Sequence, residues 1–369
     1  MVLMVSAKVY PSHNRCKPPG FDDLVKGLKA DRMAGQGGDK MKYAIISDIH
    51  GNYHAFMAVL EDAKAQGADM YLLLGDYASG FPYGNKVVEE MRKIKPAVAI
   101  SGNGEGYFAN LRGRAPESLT DEQFKPVYWG YNSLVGGNLE YLLNLPEATV
   151  ITDGSIKIHL AHSMDLFFRT PQIDMFHSPH IRSILEACEL FSQEEYLARA
   201  SEALLACPDA ISEIHAMPKG IYLFGHNHLQ FHMEYEGRMF INPGSCGEPL
   251  NGDTRASYTF LSVDGDRKIV TERRVEYDLG KVVEGFDTSG YTVYAPMWSI
   301  IMKLDLLTGK DYFYPFVMHV AQTARKMGET KHPVSDKAWD AAIATWVMPD
   351  ISRHCQMNNT KPAQPITTA

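Results

Sequence analysis

Residues 41–100 alternate three short apolar runs with two amphipathic segments, and this alternation restricts the possible folds more than any other feature. The runs MKYAIISD, MYLLLGD and PAVAISGN each begin as a buried strand and end in polar or turn residues. The segments HAFMAVLEDAKAQG and NKVVEEMRKIK have the apolar spacing of helices that bury one face. Strands that alternate with helices of this length predict βαβ units and a layered α/β core.

Residues 146–278 carry strand and hairpin signals. The segment GIYLFGHNH predicts a further strand, and three hairpins are expected where turn dipeptides separate apolar runs. These dipeptides are Asp153-Gly154, Glu236-Gly237 and Asp264-Gly265. A long helical stretch within residues 163–217 is predicted to be an insert in this strand-rich half, and residues 117–145 are expected to be mostly helical.

Changes in composition divide the chain into three parts. Residues 1–40 show no periodicity and contain PPG and GQGG, which predicts a flexible N-terminal extension. Residues 41–278 hold the alternating segments and the hairpins, and they form the predicted main domain. Residues 279–369 are predicted to be a C-terminal helical appendage with a frayed tail, including helices at VMHVAQTARKMG and SDKAWDAAIATWVM. This appendage could cap a site, form a dimer interface or bind a partner.

The net charge of −8 argues against a nucleic-acid-binding surface, which needs a basic stripe. A small phosphorylated ligand is still compatible with this charge, because a bound metal ion supplies local positive charge. No apolar stretch approaches the ~20 residues that span a bilayer, and no secretory signal is visible. The five cysteines are scattered and contain no CxxC pair, which is typical of a reduced protein. We therefore predict a cytoplasmic protein without a membrane partner, and a homo-oligomer is compatible with the sequence.

The strongest polar signals of the chain follow predicted strands. Two carboxylates, one amide and four imidazoles occur in the motifs DIHGN, GD, GNGE, HLAHS and GHNH. The residues are Asp48, His50, Asp76, Asn103, His162, His226 and His228. In an open α/β sheet the carboxyl ends of the strands line one crevice, so we expect these side chains to lie close together.

Carboxylate and amide oxygens mixed with imidazoles suit first-row divalent ions such as Mn, Fe, Co, Ni or Zn. Seven ligands are too many for one ion, and they suit two ions ~3.5–4 Å apart with one bridging carboxylate. Taken singly, each residue has a simpler explanation: Asp76 as a helix cap or turn former, His162 as a packed ring and Asn103 as a turn residue. The coincidence at five successive strand ends favours the metal site.

The ordered series DIHGN, GD, GNGE, HLAHS, GHNH and NPGS resembles the calcineurin-like metallophosphoesterase superfamily over roughly residues 41–275. It looks most similar to the bacterial branch of small phosphodiesterases. The resemblance implies a four-layer α/β/β/α sandwich with two divalent metal ions per chain, of which Mn²⁺ is the expected species. It also implies that one ion is held by Asp48, His50, Asp76 and His228, and the other by Asp76, Asn103, His162 and His226. Asp76 would be the bridge.

The third motif departs from the pattern of that superfamily. Most members have Gly-Asn-His followed by an acid, and the histidine assists the leaving group or contacts phosphate. This chain has Gly102, Asn103 and Gly104 followed by Glu105. A general acid is typically worth ~10²–10⁴ in rate, so its loss should favour leaving groups that depart unprotonated, as in aryl or strained cyclic phosphates. Glu105 is predicted to substitute as the acid if burial raises its pKa, the alternative being a carboxylate without a catalytic part.

These observations predict a hydrolase in which metal-activated hydroxide cleaves a small phosphorylated substrate, with a phosphodiester as the expected class. The predicted catalytic residues are Asp76, Asn103 and Glu105. Two alternatives remain: a phosphomonoesterase acting on a nucleotide or a phosphoprotein, and a non-catalytic scaffold with the same fold. A degenerate scaffold normally loses metal ligands, and all seven are present here. The absence of a GxxxxGK[ST] stretch argues against nucleotide-driven motor or switch chemistry.

Overall fold

A computed structural model describes residues 40–119, 121–167, 208–330 and 333–350, together with the isolated positions 195, 198 and 202. Within these residues, ten strands form two five-stranded sheets. In chain order the strands are β1 (Met41–Ile46), β2 (Met70–Leu73), β3 (Ala97–Ala99), β4 (Ala148–Asp153), β5 (Ile156–Ala161), β6 (Gly220–Leu223), β7 (Gln230–Tyr235), β8 (Arg238–Pro243), β9 (Ala256–Asp264) and β10 (Arg267–Val275).

Both sheets combine parallel and antiparallel pairs. The first has the order β10-β9-β1-β2-β3, in which β1, β2 and β3 are parallel and β9 and β10 run antiparallel to their neighbours. The second has the order β4-β5-β6-β8-β7, with a parallel centre and antiparallel edge strands. Their parallel strands gather several carboxyl ends at one edge of each sheet, which is where loops can share a site.

Helices cover the outer faces of this strand core. In chain order they are α1 (Tyr53–Ala65), α2 (Gly84–Met91), α3 (Asn103–Leu111), α4 (Lys125–Ser133), α5 (Asn138–Leu143), α6 (Pro208–Ala216), α7 (Leu279–Thr288), α8 (Tyr291–Tyr294), α9 (Pro296–Thr308), α10 (Phe313–Lys326) and α11 (Asp336–Thr345). Short 3₁₀ helices occupy residues 116–118, 122–124 and 164–166.

The core has two layers of apolar contact, one between the sheets and one between sheet and helices. Tyr43 and Ile45 of β1 pack with Ile221 and Leu223 of β6, so the two sheets face each other. The alternate residues of β1 point the other way, and Ile46 packs with buried residues of α1 and α2. This period-two alternation buries both faces of the strand. The predicted α/β/β/α sandwich is confirmed, with two mixed sheets flanked by helices.

The C-terminal helices form their own apolar cluster against the sandwich. Twelve of the thirteen residues of α9 are buried, and they pack with α7, α10 and α11. Phe81, from the loop after β2, joins this cluster through a ring contact of 5.5 Å with Phe286. The helices α10 and α11 match the two predicted from sequence. Ser335 is the N-cap of α11, and its side chain accepts a hydrogen bond from Ala338 N–H.

Several sequence predictions fall outside the described residues. These are most of the extension at 1–40, the centre of the predicted insert at 163–217 and the tail after 350. The three domain boundaries therefore stay predictions. None of the helices in the described part of the chain is long and apolar enough to cross a membrane. The cytoplasmic location also stays a prediction.

Candidate metal centre

The loops at the carboxyl ends of β1, β2, β3, β5 and β6 carry the seven predicted ligands. Backbone hydrogen bonds join these loops to each other: Asp48 N–H donates to Gly75 O (3.1 Å), and His50 N–H donates to Asp76 O (2.9 Å). A third bond, from Gly225 N–H to His162 O (2.8 Å), joins the loops after β6 and β5. The strand ends therefore hold the polar side chains in one place.

Five of the seven predicted ligands have left-handed backbone conformations. Their φ values are Asp48 52°, His50 52°, Asp76 57°, His226 72° and His228 59°. Among the described residues other than glycine, Glu236 in a hairpin turn is the sixth with positive φ. Such backbone costs about 1–3 kcal/mol per residue and persists where the surrounding structure enforces it. Its concentration at these positions indicates a functional site.

Three imidazole rings are fixed by backbone carbonyl groups. The Nδ1 atom of His50 lies 3.1 Å from Ser79 O, that of His162 lies 2.7 Å from Leu74 O, and that of His228 lies 2.7 Å from Glu248 O. A carbonyl only accepts, so each Nδ1 carries its proton there. The Nε2 atoms are thereby aimed away from the carbonyls toward the carboxylates, as is usual for histidines that bind metals.

The Nε2 atoms and the two carboxylates surround a common centre. Asp48 Oδ1 lies 3.5 Å from Nε2 of His228 and 3.8 Å from Nε2 of both His50 and His162. Asp76 Oδ2 lies 3.5 Å from His162 Nε2 and 3.8 Å from His50 Nε2. Two groups of ligand atoms result, the first formed by Asp48, His50 and His228, the second by Asp48, Asp76 and His162.

Asn103 and His226 lie beside the second group. Asn103 Oδ1 is 3.0 Å from His162 Nε2, and the His226 ring lies edge-on against the His162 ring with centroids 5.2 Å apart. The backbone N–H of His226 donates to Asp48 Oδ2 at 3.0 Å. All seven predicted residues are thus adjacent. Asp48, as well as Asp76, lies between the two groups of imidazoles, although the resemblance implied that Asp76 alone bridges.

Buried imidazoles and carboxylates at this centre shift each other's pKa values toward the charged forms. Burial opposes the charge of His50 and His162, but the surrounding carboxylates outweigh it and raise their pKa values to about 9 and about 10. Burial likewise works against ionisation of Asp76, but His162 and His50 lower the pKa of Asp76 to about 2. Asp48 is fully buried, and despite that burial its pKa lies well below the usual range because of His228 and His162.

These residues fit divalent cations. His50 Nε2 and His228 Nε2 face each other at 3.1 Å beside two ionised carboxylates, so either shared protons or cations must stabilise the arrangement. Carboxylate, amide and imidazole donors together suit first-row divalent ions.

The family described as calcineurin-like phosphoesterase matches residues 41–230. The chain belongs to this family. An uncharacterized protein of Methanocaldococcus jannaschii is 26% identical over 260 residues, which cover 66% of this chain and 91% of that protein. Two solved structures share the fold: a metallophosphoesterase from Sphaerobacter thermophilus (TM-score 0.52, 24% identity) and a hypothetical protein from Pyrococcus horikoshii (TM-score 0.53, 18% identity). Each comparison covers 73% of this chain and 99% of the other.

Membership of the calcineurin-like phosphoesterase family points to a hydrolase of phosphoesters. The family and the two groups of ligand atoms together fit a dinuclear divalent-metal site.

The glycines on either side of Asn103 allow this phosphoesterase to bring α3 against Asp76. Gly104 is the second residue of α3, and its N–H donates to Asp76 Oδ1 at 2.7 Å. A Cβ atom at Gly104 would lie 3.0 Å from both Asp76 Oδ1 and Ser79 Oγ. At Gly102 an added Cβ would overlap Asp76 Oδ1. A histidine at position 104 would therefore press on the carboxylate that is predicted to bridge.

Glu105, the predicted substitute acid, is buried and bonded to the backbone of the same loops. Its carboxylate accepts N–H bonds from Asp76 (3.0 Å), Tyr77 (3.0 Å) and Gly102 (2.8 Å). Burial and the nearby charge of Asp76 raise the pKa of Glu105, although the three N–H donors act against that rise. Both oxygens of the Glu105 carboxylate thus accept backbone N–H bonds, and these bonds hold the backbone at Asp76 in place. The acid role of Glu105 stays a prediction.

Glu248 is a further carboxylate at this centre that was not predicted from the sequence. Its Oε2 atom lies 4.0 Å from His50 Nε2 and 3.9 Å from His228 Nδ1, and the residue is 8% exposed. Glu248 follows the NPGS turn, far along the chain from both histidines, and no local motif marks it. Only the packing of the loop after β8 against the loops after β1 and β6 brings it here.

Proposed function

We propose that this chain is a dinuclear-metal-dependent phosphodiesterase that prefers Mn²⁺. The observation that carries the proposal is the convergence of carbonyl-anchored imidazoles and two buried carboxylates on one centre, with glycine at position 104 in place of a proton-donating histidine. The donor set favours a first-row divalent ion, and the missing histidine favours substrates whose leaving group needs no proton.

The proposed ligands divide between two ions that share Asp76. The first set is Asp48, His50, Asp76 and His228, and the second is Asp76, Asn103, His162 and His226. When bound, such a pair of ions neutralises phosphate oxygens and supplies hydroxide near neutral pH.

The protein's own contribution is to hold these groups in fixed orientations. The Gly104 N–H engages Oδ1 of Asp76, which leaves Oδ2 directed toward His50 and His162. Glu105 holds the Asp76 backbone, and its three N–H bonds support a positioning role for it over an acid role. Position 104 has no histidine, and Glu105 is engaged by three N–H groups. The GNGE motif therefore supplies no proton donor to the leaving oxygen. That chemistry favours activated or strained diesters over monoesters with poor leaving groups.

The proposal is tested by comparing kcat/KM for an aryl phosphodiester and the matching aryl phosphomonoester, with Mn²⁺, Fe²⁺, Co²⁺, Ni²⁺ or Zn²⁺ added to chelator-treated protein. We expect about two ions bound per chain, highest turnover with Mn²⁺, and preference for the diester. Preference for the monoester under every metal would overturn the diesterase assignment. Protein that binds no metal and hydrolyses neither ester would be a scaffold.

A further inference from the structure

The carboxylate of Glu248 adds a negative charge beside the proposed ligands without belonging to either group. Among the described residues, the ligand atoms that lie within 4.8 Å of one another come from Asp48, Asp76 and three histidines, and Glu248 is not one of them. Its Oε2 atom lies 4.0 Å from His50 Nε2 and 3.9 Å from His228 Nδ1. Within the described residues, no N–H or O–H group donates a hydrogen bond to this carboxylate. Its charge is therefore directed at the metal centre.

Backbone hydrogen bonds fix the position of residue 248 beside the ligand-bearing loops. Glu248 N–H donates to Ser245 Oγ at 2.7 Å, and that hydroxyl donates to Asp48 O at 2.7 Å. Glu248 O accepts from His228 Nδ1 at 2.7 Å, so residue 248 is bonded to two of the ligand-bearing loops. The same segment is joined to the C-terminal helices by the bond from Gly252 N–H to Gly309 O, at 2.9 Å.

The C-terminal helices supply buried acidic groups near Glu248. Asp305 of α9 and Tyr291 of α8 are 1% and 0% exposed, and Asp305 Oδ2 and the Tyr291 hydroxyl have no hydrogen-bond partner in the described structure. Burial first, and then the charge of Glu248, raises the pKa of Asp305 and that of Tyr291 well above their usual values. Asp305 and Tyr291 therefore lie near the Glu248 carboxylate as uncharged groups and supply it with no positive charge.

A fixed third carboxylate changes the balance of charge at the metal centre. The proposed ligands include two carboxylates, and Glu248 makes three against the four positive charges of two divalent ions. A phosphodiester brings one negative charge to this place, whereas a phosphomonoester at mildly alkaline pH brings two. The extra charge of the monoester is repelled by Glu248 at short range in a largely buried site.

We propose that Glu248 is a specificity-determining residue whose charge makes the centre select the monoanionic diester over dianionic phosphate groups. This inference rests on the proposed phosphodiesterase function. An added unit charge within about 6–8 Å, at an effective dielectric constant of ~20–40, changes binding by roughly tenfold.

The test compares the metal-loaded wild type with Glu248→Gln, Glu248→Asp and Glu284→Gln. Glu284→Gln removes a carboxylate from an exposed position of α7 and is the matched control. Two quantities are measured at one mildly alkaline pH: the ratio of diester to monoester kcat/KM, and the inhibition constant of inorganic phosphate. Metal content is measured for every variant.

We expect Glu248→Gln to keep both ions, to lower the diester-to-monoester ratio roughly tenfold and to tighten phosphate binding by a similar factor. Glu248→Asp and Glu284→Gln should stay near the wild type. If the wild type prefers diesters and Glu248→Gln changes neither quantity, the inference is wrong and the proposed function stands. If the wild type prefers monoesters, the proposed phosphodiesterase function is wrong. The charge effect of Glu248 is then judged by phosphate binding alone, and an unchanged inhibition constant of phosphate in Glu248→Gln rejects it. Loss of an ion in Glu248→Gln would make the residue a metal ligand and overturn the inference.

Discussion

The metal centre and the C-terminal helices bury their residues for opposite reasons. At the metal centre, Asp48 and Asp76 are 0% and 3% exposed, and five of the proposed ligands have left-handed backbone. In α9, by contrast, eight of the twelve buried residues are apolar or aromatic, and they pack in regular helical geometry. Burial of charge and strained backbone lowers stability, whereas apolar burial raises it. Binding and stability are therefore concentrated in different parts of one chain.

The two regions meet at the loop after β2. This loop contains Asp76 and, five residues later, Phe81, whose ring packs on Phe286 in the C-terminal cluster. Phe81 N–H also donates to His50 O at 2.6 Å. The loop thus connects a proposed ligand to the apolar cluster within six residues. Variants on each side should show whether the division between binding and stability is strict.

The largest effect is expected from Asp76→Asn. The amide can still accept the Gly104 N–H bond, but one negative charge between the two groups of imidazoles is lost. Removal of groups that merely orient metal ligands costs about 10–100-fold, so loss of this ligand charge should lower kcat/KM by at least about 100-fold. Activity and metal content measured together check this expectation.

The matched control for Asp76→Asn is Asp264→Asn, the same change at an exposed hairpin position. It should leave kcat/KM and metal content unchanged. Asp76→Asn that folds, keeps two ions and turns over like the wild type would contradict the bridging role. Asp48→Asn is then the next variant to examine, because Asp48 also lies between both groups.

The structural features that could be predicted from the sequence also differ between the metal centre and the C-terminal helices. The strands, the hairpins and the convergence of seven polar residues were predictable, because each feature is local or follows from parallel strands, β1, β2 and β3 in one sheet and β5 and β6 in the other. The helix α9 was not, since a segment buried on all sides has no polar face to mark its period. The helix α3 was also missed, because the two glycines of GNGE indicate a turn. Glu248 depends on packing between loops that are distant in sequence.

The second largest effect is expected from Trp298→Ala, which tests the apolar side of the comparison. Trp298 is 1% exposed, stacks on Phe313 and contacts Trp339, and its Nε1–H donates to Glu122 O at 2.7 Å. Truncation of a buried aromatic side chain costs about 3–5 kcal/mol in the free energy of unfolding. Denaturant unfolding of the chelated protein measures this loss.

Trp298→Ala should nevertheless keep its metal ions under native conditions, since none of the proposed ligands touches this ring. Val293→Ala, at a position 88% exposed on α8, is the control and should change stability by no more than about 0.5 kcal/mol. A folded Trp298→Ala protein that has lost its ions would show that the helices maintain the metal centre, and the two regions would then be one functional unit.

A pH series sharpens the comparison further. In the metal-free protein, the pKa values of His50 and His162 are raised to about 9 and about 10, above the ordinary 6.5 of histidine. Their contribution to stability is therefore complete below about pH 6.5 and is lost as pH rises through 9 to 10. Metal binding must displace these protons, so metal affinity should rise over the same range, by up to about tenfold per pH unit for each proton displaced.

The difference in Tm between metal-loaded and chelated protein should accordingly widen from pH 6.5 to 9. The pKa of Asp76 is lowered to about 2, so the contribution of its ionised carboxylate to stability is lost only as pH falls below about 4. Asp76 is therefore expected to cause no change in Tm between pH 6.5 and 9. His162→Asn should remove part of the widening. A Tm difference that is constant across the window would show that the rings are neutral before metal binds.

The smallest effects are expected at two helix N-caps, one in each region. Ser335 caps α11, and its replacement by alanine should cost about 1 kcal/mol in stability without altering metal affinity. Asn52 caps α1 by accepting from Ala55 N–H, and its Nδ2–H group also donates to Gly247 O at 2.8 Å. Asn52→Ser keeps the cap but removes that second bond, which leaves the Gly247 carbonyl without this donor.

Because Gly247 N–H donates to Asp48 O at 3.0 Å, loosening this segment should weaken metal binding in Asn52→Ser by about tenfold, while its stability loss stays near 1 kcal/mol. Ser335→Ala provides the comparison at a similar loss of stability, so any difference in metal affinity between the two variants cannot come from stability alone. Metal titration of both proteins at one pH measures it. Equal metal affinity would mean that the Asn52 bond supports only the fold, and that the ligand loops hold their geometry without it.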